Sequence, residues 1–388
     1  MESIFDWVEP TEAGLFDISD GVDRMRDVLR IHRAGERPDL EGCVAAIVGV
    51  LDRRGSADGA ETDRAPEWVR GKLYKLTVMD RWAPVADLGN IAAGQTAEDT
   101  MAALDVVCQE LMTRGIIPLV IGGSQVQTFP MYRAYASQDR PINVSVIDAT
   151  LDFGGDPQVT DGTNWLNQLI LPEGAHLFDL NTLGHQRYLV DGDTLQLMDR
   201  MHFDNVRLGQ LRADISIAEP ILRDSDLASF DAGAVRTADH PASGIARPNG
   251  LSGEEFCQLA RYAGYSDRLS SVGFFESDPS KDGDGRGGQL ISEAIWCFLE
   301  GVMHRMGDHP RGSTDDYLQY SVVLEGEDHE VIFYKSPRSD RWWMDIPTPG
   351  AGNRKGRILL VPCTYADYQS AAAGQLPDRW WRTQQKLS

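Results

Sequence analysis

Apolar runs alternate with amphipathic segments from about residue 40 to residue 306. Continuous apolar runs such as VAAIVGVL at 44–51 are typical of strands buried on both faces. Segments such as 96–113 carry apolar residues at helical spacing and begin with a capping residue. Strands that alternate with helices predict a parallel sheet covered on both faces. Strands are predicted at 44–51, 116–121, 144–148, 175–180, 205–207, 227–231 and 270–275, and helices at 17–32 (capped by Ser19), 66–76, 96–113, 125–135, 252–262 and 289–306.

The pattern changes near Pro310. From residue 317 the segments YSVVL, EVIFY, RWWMDI and RILLVP alternate apolar and polar residues, which predicts antiparallel strands. We therefore divide the chain into an α/β domain at 1–310 and a small β-rich appendage at 311–388 that holds four of the nine tryptophans. Large aromatic side chains are costly to leave in water, so we expect the appendage to pack on the first domain or on a neighbouring subunit.

Composition and charge narrow the classes of function. The net charge of −22 over 388 residues repels phosphate backbones and anionic membranes, which argues against nucleic-acid binding and favours solubility or docking to a basic partner. No apolar run is long enough for a membrane span, and the acidic N-terminus lacks the features of a signal peptide. The five cysteines are widely spaced and form no CxxC pair, which is typical of reduced thiols without a structural zinc site. We expect a cytoplasmic protein that forms a homo-oligomer or binds a protein partner.

Carboxylates follow several of the predicted strands. In doubly wound sheets, ligands bind at the carboxyl ends of the strands, and parallel strands present those ends to one edge. We therefore expect Asp148, Asp152 and Asp231 to converge, with Glu276 nearby. The segments that follow the buried strands are GGSQ at 122–125, DATLD at 148–152, SFDAG at 229–233 and FESDP at 275–279.

The order and spacing of these segments resemble the ureohydrolase family of arginase, agmatinase and formimidoylglutamase. In that family the strands end in GGDHS, DAHxD, SFDxDxxDP and ExNP, and this chain reads GGSQV, DATLD, SFDAGAVR and ESDP. Residues 87–89 are similar to the family's DxGD turn. The resemblance covers roughly residues 40–306, and the whole chain looks most like Bacteroidetes-type arginase-family proteins often labelled formimidoylglutamase-like. It implies a three-layer α/β fold with a mostly parallel sheet of about eight strands.

The same resemblance identifies a changed metal site. Active members of the family hold two Mn²⁺ ions through two histidines and four aspartates, which generate the attacking hydroxide. Three of the six ligand positions keep an aspartate, and all eight histidines lie outside the motifs. The retained residues are Asp148, Asp152 and Asp231; Gln125 and Thr150 replace the two histidines, and Gly233 replaces the fourth aspartate.

These departures favour a catalytically degenerate ureohydrolase with a binding, regulatory or assembly role. We expect no cofactor beyond one weakly held Mg²⁺ or Ca²⁺ on the three aspartates, because hard cations normally need about six oxygens. Glu276 falls where the family grips the amidine or guanidinium of its substrate, so Glu276, Gln125 and Thr150 are candidate ligand-binding residues. The alternative is an active hydrolase of linear amidines or guanidines with a rebuilt or single-metal site.

Crowded carboxylates need something that offsets their mutual repulsion. A cation, a raised pKa or a basic side chain would each serve. Arg236 and Arg247 follow Asp231 and are the nearest basic candidates in the sequence. We expect a basic side chain or solvent in preference to a tightly held metal ion.

Overall fold

Two β-sheets organise the chain in a computed structural model. The structure describes residues 3–12, 14, 23–56, 64–138, 140–155, 161–171, 176–310, 314–323, 330–348 and 358–387. The larger sheet has nine strands that all pair in parallel, and the smaller one has four antiparallel strands. The predicted division between them falls beside residues 311–313, which lie outside the described residues. No helix in the described ranges is long and apolar enough to cross a membrane.

The parallel sheet confirms the predicted fold class and has one strand more than expected. Its spatial order is β1-β3-β2-β4-β9-β8-β5-β6-β7, with the bounds given below. The central strands are buried along their whole length, as continuous apolar runs predict. The strands are β1 (Arg30–Ile31), β2 (Ala45–Val50), β3 (Val85–Ile91), β4 (Ile117–Ile121), β5 (Ile142–Ile147), β6 (Leu177–His185), β7 (Asn205–Arg207), β8 (Leu227–Asp231) and β9 (Ser271–Phe275).

Helices cover both faces of this sheet, which makes three layers. Leu119 and Val120 are neighbours on β4, yet they belong to separate hydrophobic clusters, because successive side chains of a strand point to opposite faces. Helices α2, α8, α9 and α10 pack on one face, and α3, α4 and α6 pack on the other. The helices are α1 (Met25–Val28), α2 (Ala65–Leu73), α3 (Ala97–Thr113), α4 (Thr128–Arg133), α5 (Asn167–Ile170), α6 (Gly192–Arg200), α7 (Leu208–Ala213), α8 (Ala218–Arg223), α9 (Gly253–Tyr265) and α10 (Arg286–Met303).

Two local predictions were wrong, and the first of them concerns the start of the chain. The helix expected at 17–32 is only one turn long in its described part, and Arg30–Ile31 pair with β3 as an edge strand. Leu29 and Ile31 are both buried, so the apolar residues there follow a period of two. The expected cap Ser19 lies outside the described residues.

The second wrong prediction concerns Asp87, Leu88 and Gly89, which were expected to form a turn. They lie inside β3, although aspartate and glycine are uncommon in strands. Arg70 neutralises the buried Asp87, and Gly89 takes a φ of +84° where the pairing of β3 with β2 shifts register. The strand therefore depends on a side chain from α2, which the local sequence does not reveal.

The C-terminal appendage contains the predicted antiparallel strands and two helices that were not predicted. The strands pair in sequence order, as successive hairpins do. Trp380 and Trp381 lie on the last of these helices, so two of the four tryptophans of the β-rich appendage lie outside its antiparallel sheet. The elements are β10 (Leu318–Val323), β11 (Glu330–Lys335), β12 (Trp342–Pro347), β13 (Ile358–Cys363), α11 (Tyr365–Ala372) and α12 (Asp378–Leu387).

The appendage packs on the α/β layers, as its tryptophan content led us to expect. Arg223, at the end of α8, donates hydrogen bonds to the carbonyl oxygens of Trp342 and Cys363, each at 3.1 Å. Its guanidinium also lies 4.5 Å from the centroid of the Trp343 ring. At the far end of α12, Lys386 pairs with Asp179 of β6 at 2.6 Å. Arg223 thus links two strands of the appendage to the helical layer of the larger sheet.

Candidate functional site

A cavity of about 260 Å³ lies at the carboxyl ends of the central parallel strands. It is lined by five of the six predicted site residues, and the sixth, Asp148, is buried with 2% of its surface exposed. The residues come from the ends of four different strands. Parallel strands present their carboxyl ends to one edge of the sheet, and this brings the predicted side chains together. The five lining residues are Gln125 after β4, Thr150 and Asp152 after β5, Asp231 at the end of β8 and Glu276 after β9.

Thr150 is hydrogen-bonded between the first two aspartates. Its amide donates to Asp148 Oδ1 at 3.0 Å, and its hydroxyl lies 3.2 Å from both carboxylate oxygens of Asp148 and 3.0 Å from Asp152 Oδ1. Trp165 Nε1 donates to Asp152 Oδ2 at 3.2 Å. Burial raises the pKa of Asp152 well above its usual value, and repulsion by Asp148 adds to this. The hydroxyl that replaces an imidazole is therefore directed at carboxylates and offers no nitrogen ligand.

Asp231 completes the group of aspartates. Its Oδ1 accepts a hydrogen bond of 2.6 Å from the amide of Gly233. Burial raises the pKa of Asp231 well above its usual value, and the negative charges of Asp148, Glu276 and Asp152 raise it further. The carboxyl groups are thus close enough to influence one another's protonation, and some of them hold a proton at a pH where an exposed aspartate is ionised.

Arg247 occupies the space next to Gly233, where the family carries its fourth aspartate. A β-carbon added to Gly233 would lie 3.1 Å from Arg247 Nη1 and 3.0 Å from Asp231 Oδ1. Arg247 Nη1 donates to the carbonyl oxygen of Gly233 at 3.0 Å, and the Arg247 amide donates to Thr237 Oγ1 at 2.7 Å. The loop after β8 therefore places a positive charge beside the carboxylates.

Of the two basic candidates named from the sequence, only Arg247 lies in the cavity. Arg236 instead forms an ion pair of 2.9 Å with Asp239, which also accepts from the amide of Gly253 at the start of α9. Arg236 is close to the site in sequence but its side chain serves the adjoining helix. Of the two candidates, Arg247 is therefore the one that lies beside the aspartates, and Arg236 pairs elsewhere.

Gln125 has one unsatisfied polar atom at the cavity. Its amide N–H donates to Glu276 Oε1 at 2.8 Å, and its Nε2 donates to Ser229 Oγ at 3.1 Å. Its Oε1 is buried and has no hydrogen-bond partner among the described residues. A buried acceptor without a partner costs about 1–3 kcal/mol.

Glu276 has an unusual backbone conformation. Its φ is +61°, a left-handed value that costs a non-glycine residue on the order of 1 kcal/mol. Burial raises the pKa of Glu276, while the hydrogen bond from the Gln125 amide opposes that shift. The strained turn points the carboxyl group into the cavity, where protein donors already contact it.

The residues present do not fit the family's dinuclear manganese site. Two of the six positions offer an amide and a hydroxyl in place of imidazoles, and a guanidinium lies where the fourth carboxylate would project. Within the described part of the chain, no group of three or more His, Cys, Asp or Glu side chains has an arrangement that holds a metal ion. Manganese and zinc sites of this kind rely on nitrogen and carboxylate ligands together, so we derive no step through a metal.

Sequence reasoning missed three contributors to the site. Trp165 and Ser229 hydrogen-bond to predicted residues, and Ile245 contributes an exposed apolar side chain to the cavity rim. Ser229 lay within a recognised segment and had the spacing of an inward-facing strand residue, so its position could have been anticipated. Trp165 and Ile245 lie on irregular loops whose course no periodicity encodes.

Comparison with known proteins identifies the family to which the sequence is similar. The sequence model of the arginase family matches residues 44–300, from the start of β2 almost to the end of α10. A search of curated proteins found no match. The matched region contains every predicted site residue and excludes the C-terminal appendage.

Solved structures of ureohydrolases share the fold at low sequence identity. Formimidoylglutamase from Bacillus subtilis has a TM-score of 0.67 and 17% identity over 76% of this chain and 96% of its own. Formiminoglutamase from Trypanosoma cruzi, solved with Mn²⁺, has a TM-score of 0.65 and 18% identity over 73% of this chain and 99% of its own. Agmatine ureohydrolase from Thermoplasma volcanium has a TM-score of 0.56 and 18% identity over 75% of this chain and 97% of its own. The family match spans more than half of the sequence, and the chain therefore belongs to the arginase family.

Proposed function

We propose that this chain is a catalytically degenerate ureohydrolase that binds a small polar ligand in the ancestral cleft. The position of Arg247 is the observation that carries the proposal. Its guanidinium supplies, within the chain, the positive charge that metal ions supply in active relatives. Since Gln125 and Thr150 also replace both imidazoles, loss of the metal pair and its replacement by a basic side chain form one consistent change.

The polar groups that line the cleft support a ligand with hydrogen-bond donors. Gln125 Oε1 is a buried acceptor without a partner among the described residues, and the carboxyl group of Glu276 lies next to Gln125, whose amide donates to it at 2.8 Å. Ile245 and Leu189 add apolar surface at the rim. A small molecule with an amidine, guanidinium or ammonium group and a short apolar part matches these features.

One observation favours the alternative of an active hydrolase. Asp152 and Asp231 both line the cavity, and burial raises the pKa of each. A carboxyl group whose pKa is raised is better suited to general acid catalysis than an exposed aspartate is. The alternative is thus a hydrolase of linear amidines that operates through these acids with a rebuilt or single-metal site.

A hydrolysis assay separates the two functions. We expect the purified protein to release no product above background from arginine, agmatine or formimidoylglutamate, with or without added Mn²⁺, because no imidazole remains at the site. Product release that needs Mn²⁺ and is lost in Asp148→Ala would contradict the proposal. Metal-independent release that is lost in Asp152→Asn would instead support the rebuilt hydrolase.

The cellular setting belongs to the same proposal. We infer a cytoplasmic protein that acts as a homo-oligomer or with a protein partner and does not bind nucleic acid. The net charge of −22 supports this, because it disfavours phosphate backbones and favours a basic protein surface.

A further inference from the structure

A second cavity lies on the helical layer, with none of the residues of the carboxylate cleft in its walls. Its volume is about 700 Å³, and it is formed by α9, α10 and the residues that follow α2. Cys257 on α9 and Cys297 on α10 both line it, and both are only partly buried. The other three cysteines, Cys43, Cys108 and Cys363, are buried.

Close packing of the two helices brings these cysteines together. A β-carbon added to Gly264 would lie 2.2 Å from the carbonyl oxygen of Phe298, so the backbones of α9 and α10 are in contact there. One turn before Gly264, Arg261 pairs with Glu300 at 3.0 Å. A further turn back along each helix places Cys257 opposite Cys297. Close approach of the two helices is one of the conditions for a disulfide between them.

The two thiols differ in chemical character. The neighbouring thiol of Cys297 raises the pKa of Cys257, and that of Cys257 lowers the pKa of Cys297. Burial also raises the pKa of Cys257, whereas the positive charge of Arg261 helps to lower that of Cys297. The thiolate is the reactive form of a cysteine, so Cys297 is the nucleophile of the pair and Cys257 is the partner that resolves it.

We propose that Cys257 and Cys297 form a dithiol site that undergoes thiol–disulfide exchange with small disulfides such as oxidised glutathione. The Cys297 thiolate attacks one sulfur of the small disulfide, forms a mixed disulfide and releases one small thiol. Cys257 then gives up its proton and attacks Cys297 Sγ, which forms the Cys257–Cys297 disulfide and releases the second small thiol. Two protein thiols are oxidised, and one small disulfide is reduced to two thiols.

The cavity makes the first step accessible. Its walls carry charges of both signs: Arg236, which pairs with Asp239 at 2.9 Å, and the carboxylates of Glu254 and Glu293. The disulfide would join two helices whose cysteines are 40 positions apart in the sequence. Because such a cross-link restricts the unfolded chain, we expect the oxidised protein to melt at a higher temperature than the reduced protein.

Thiol counting after oxidation tests the proposal. The full chain is reduced, freed of reductant and incubated with oxidised glutathione, and its free thiols are then counted in denaturant. We expect the count to fall from five to three, and peptide mapping should find Cys257 joined to Cys297. The Cys257→Ser variant should instead retain one glutathione on Cys297, because the resolving thiol is missing.

A matched control and three contradicting outcomes decide the result. Cys43→Ser removes a buried thiol far from the pair, and this variant should still lose two thiols on oxidation. The proposal is overturned if all five thiols of the wild type survive incubation. It is equally overturned if glutathione accumulates on the wild type without a Cys257–Cys297 bond, or if Cys297→Ser still loses two thiols.

Discussion

Replacement of Arg70 with methionine should lower the free energy of unfolding by about 3–5 kcal/mol. Arg70 is fully buried on α2, and its Nε and Nη2 atoms each lie 2.9 Å from a carboxylate oxygen of Asp87 in β3. Nη2 also donates to the carbonyl oxygen of Gly89 at 2.8 Å. The substitution keeps most of the side chain's apolar volume but leaves the charge of Asp87 buried without its partner. Urea denaturation of the wild type and the variant measures the difference.

The matched control is Arg114→Ala at the end of α3. Arg114 pairs with Glu110 on an exposed helix surface, so its loss should cost no more than about 0.5 kcal/mol. The double variant Arg70→Met/Asp87→Asn removes the orphaned charge and should recover part of the lost stability. A loss for Arg70→Met no larger than that for Arg114→Ala would show that the buried pair does not hold α2 to β3.

Replacement of Trp343 with alanine should cost about 3–5 kcal/mol. Trp343 is fully buried in β12, where its ring lies 4.5 Å from the Arg223 guanidinium and 5.7 Å from the ring of Tyr317. Its removal opens a cavity at the contact between the appendage and α8. Because Arg223 also bonds to two appendage carbonyls, we expect the variant to expose the appendage to proteases before the parallel sheet unfolds.

Trp381→Ala is the control for this experiment. Trp381 has 45% of its surface exposed and makes an edge contact with His202 at 5.2 Å, so its loss should cost less than about 1 kcal/mol. Both variants remove an indole ring that contacts the α/β domain, and only Trp343→Ala removes it from a fully buried position. Equal destabilisation by the two variants would contradict the packing described for the appendage.

The sequence was sufficient to predict the elements whose signals are local. The cap of α3 is an example: Thr96 accepts from the amide of Asp99, and Asp99 accepts from the amide of Thr96. The convergence of Asp148, Asp152 and Asp231 could also be predicted, since it follows from strand order in a parallel sheet. In both cases a residue's type and its position along one element determine its environment.

Features that depend on contacts between distant segments could not be predicted. Asp87 is tolerated in a buried strand because Arg70 reaches it from α2, and no property of residues 85–91 reveals that partner. Arg247 and Arg236 were equivalent candidates from the sequence, and only the path of the loop after β8 distinguishes them. The pairing of Cys257 with Cys297 likewise follows from how closely α9 approaches α10.

The manganese content of the purified protein tests most directly whether Arg247 has replaced the metal pair. The protein is equilibrated with excess Mn²⁺, desalted and analysed by inductively coupled plasma mass spectrometry, with Asp148→Ala as the reference. We predict far less than one ion per chain, with no difference between the wild type and the variant. Neither of the family's two histidine positions holds an imidazole here, and a guanidinium lies beside Asp231. Close to two ions per chain in the wild type, lost in Asp148→Ala, would contradict the account.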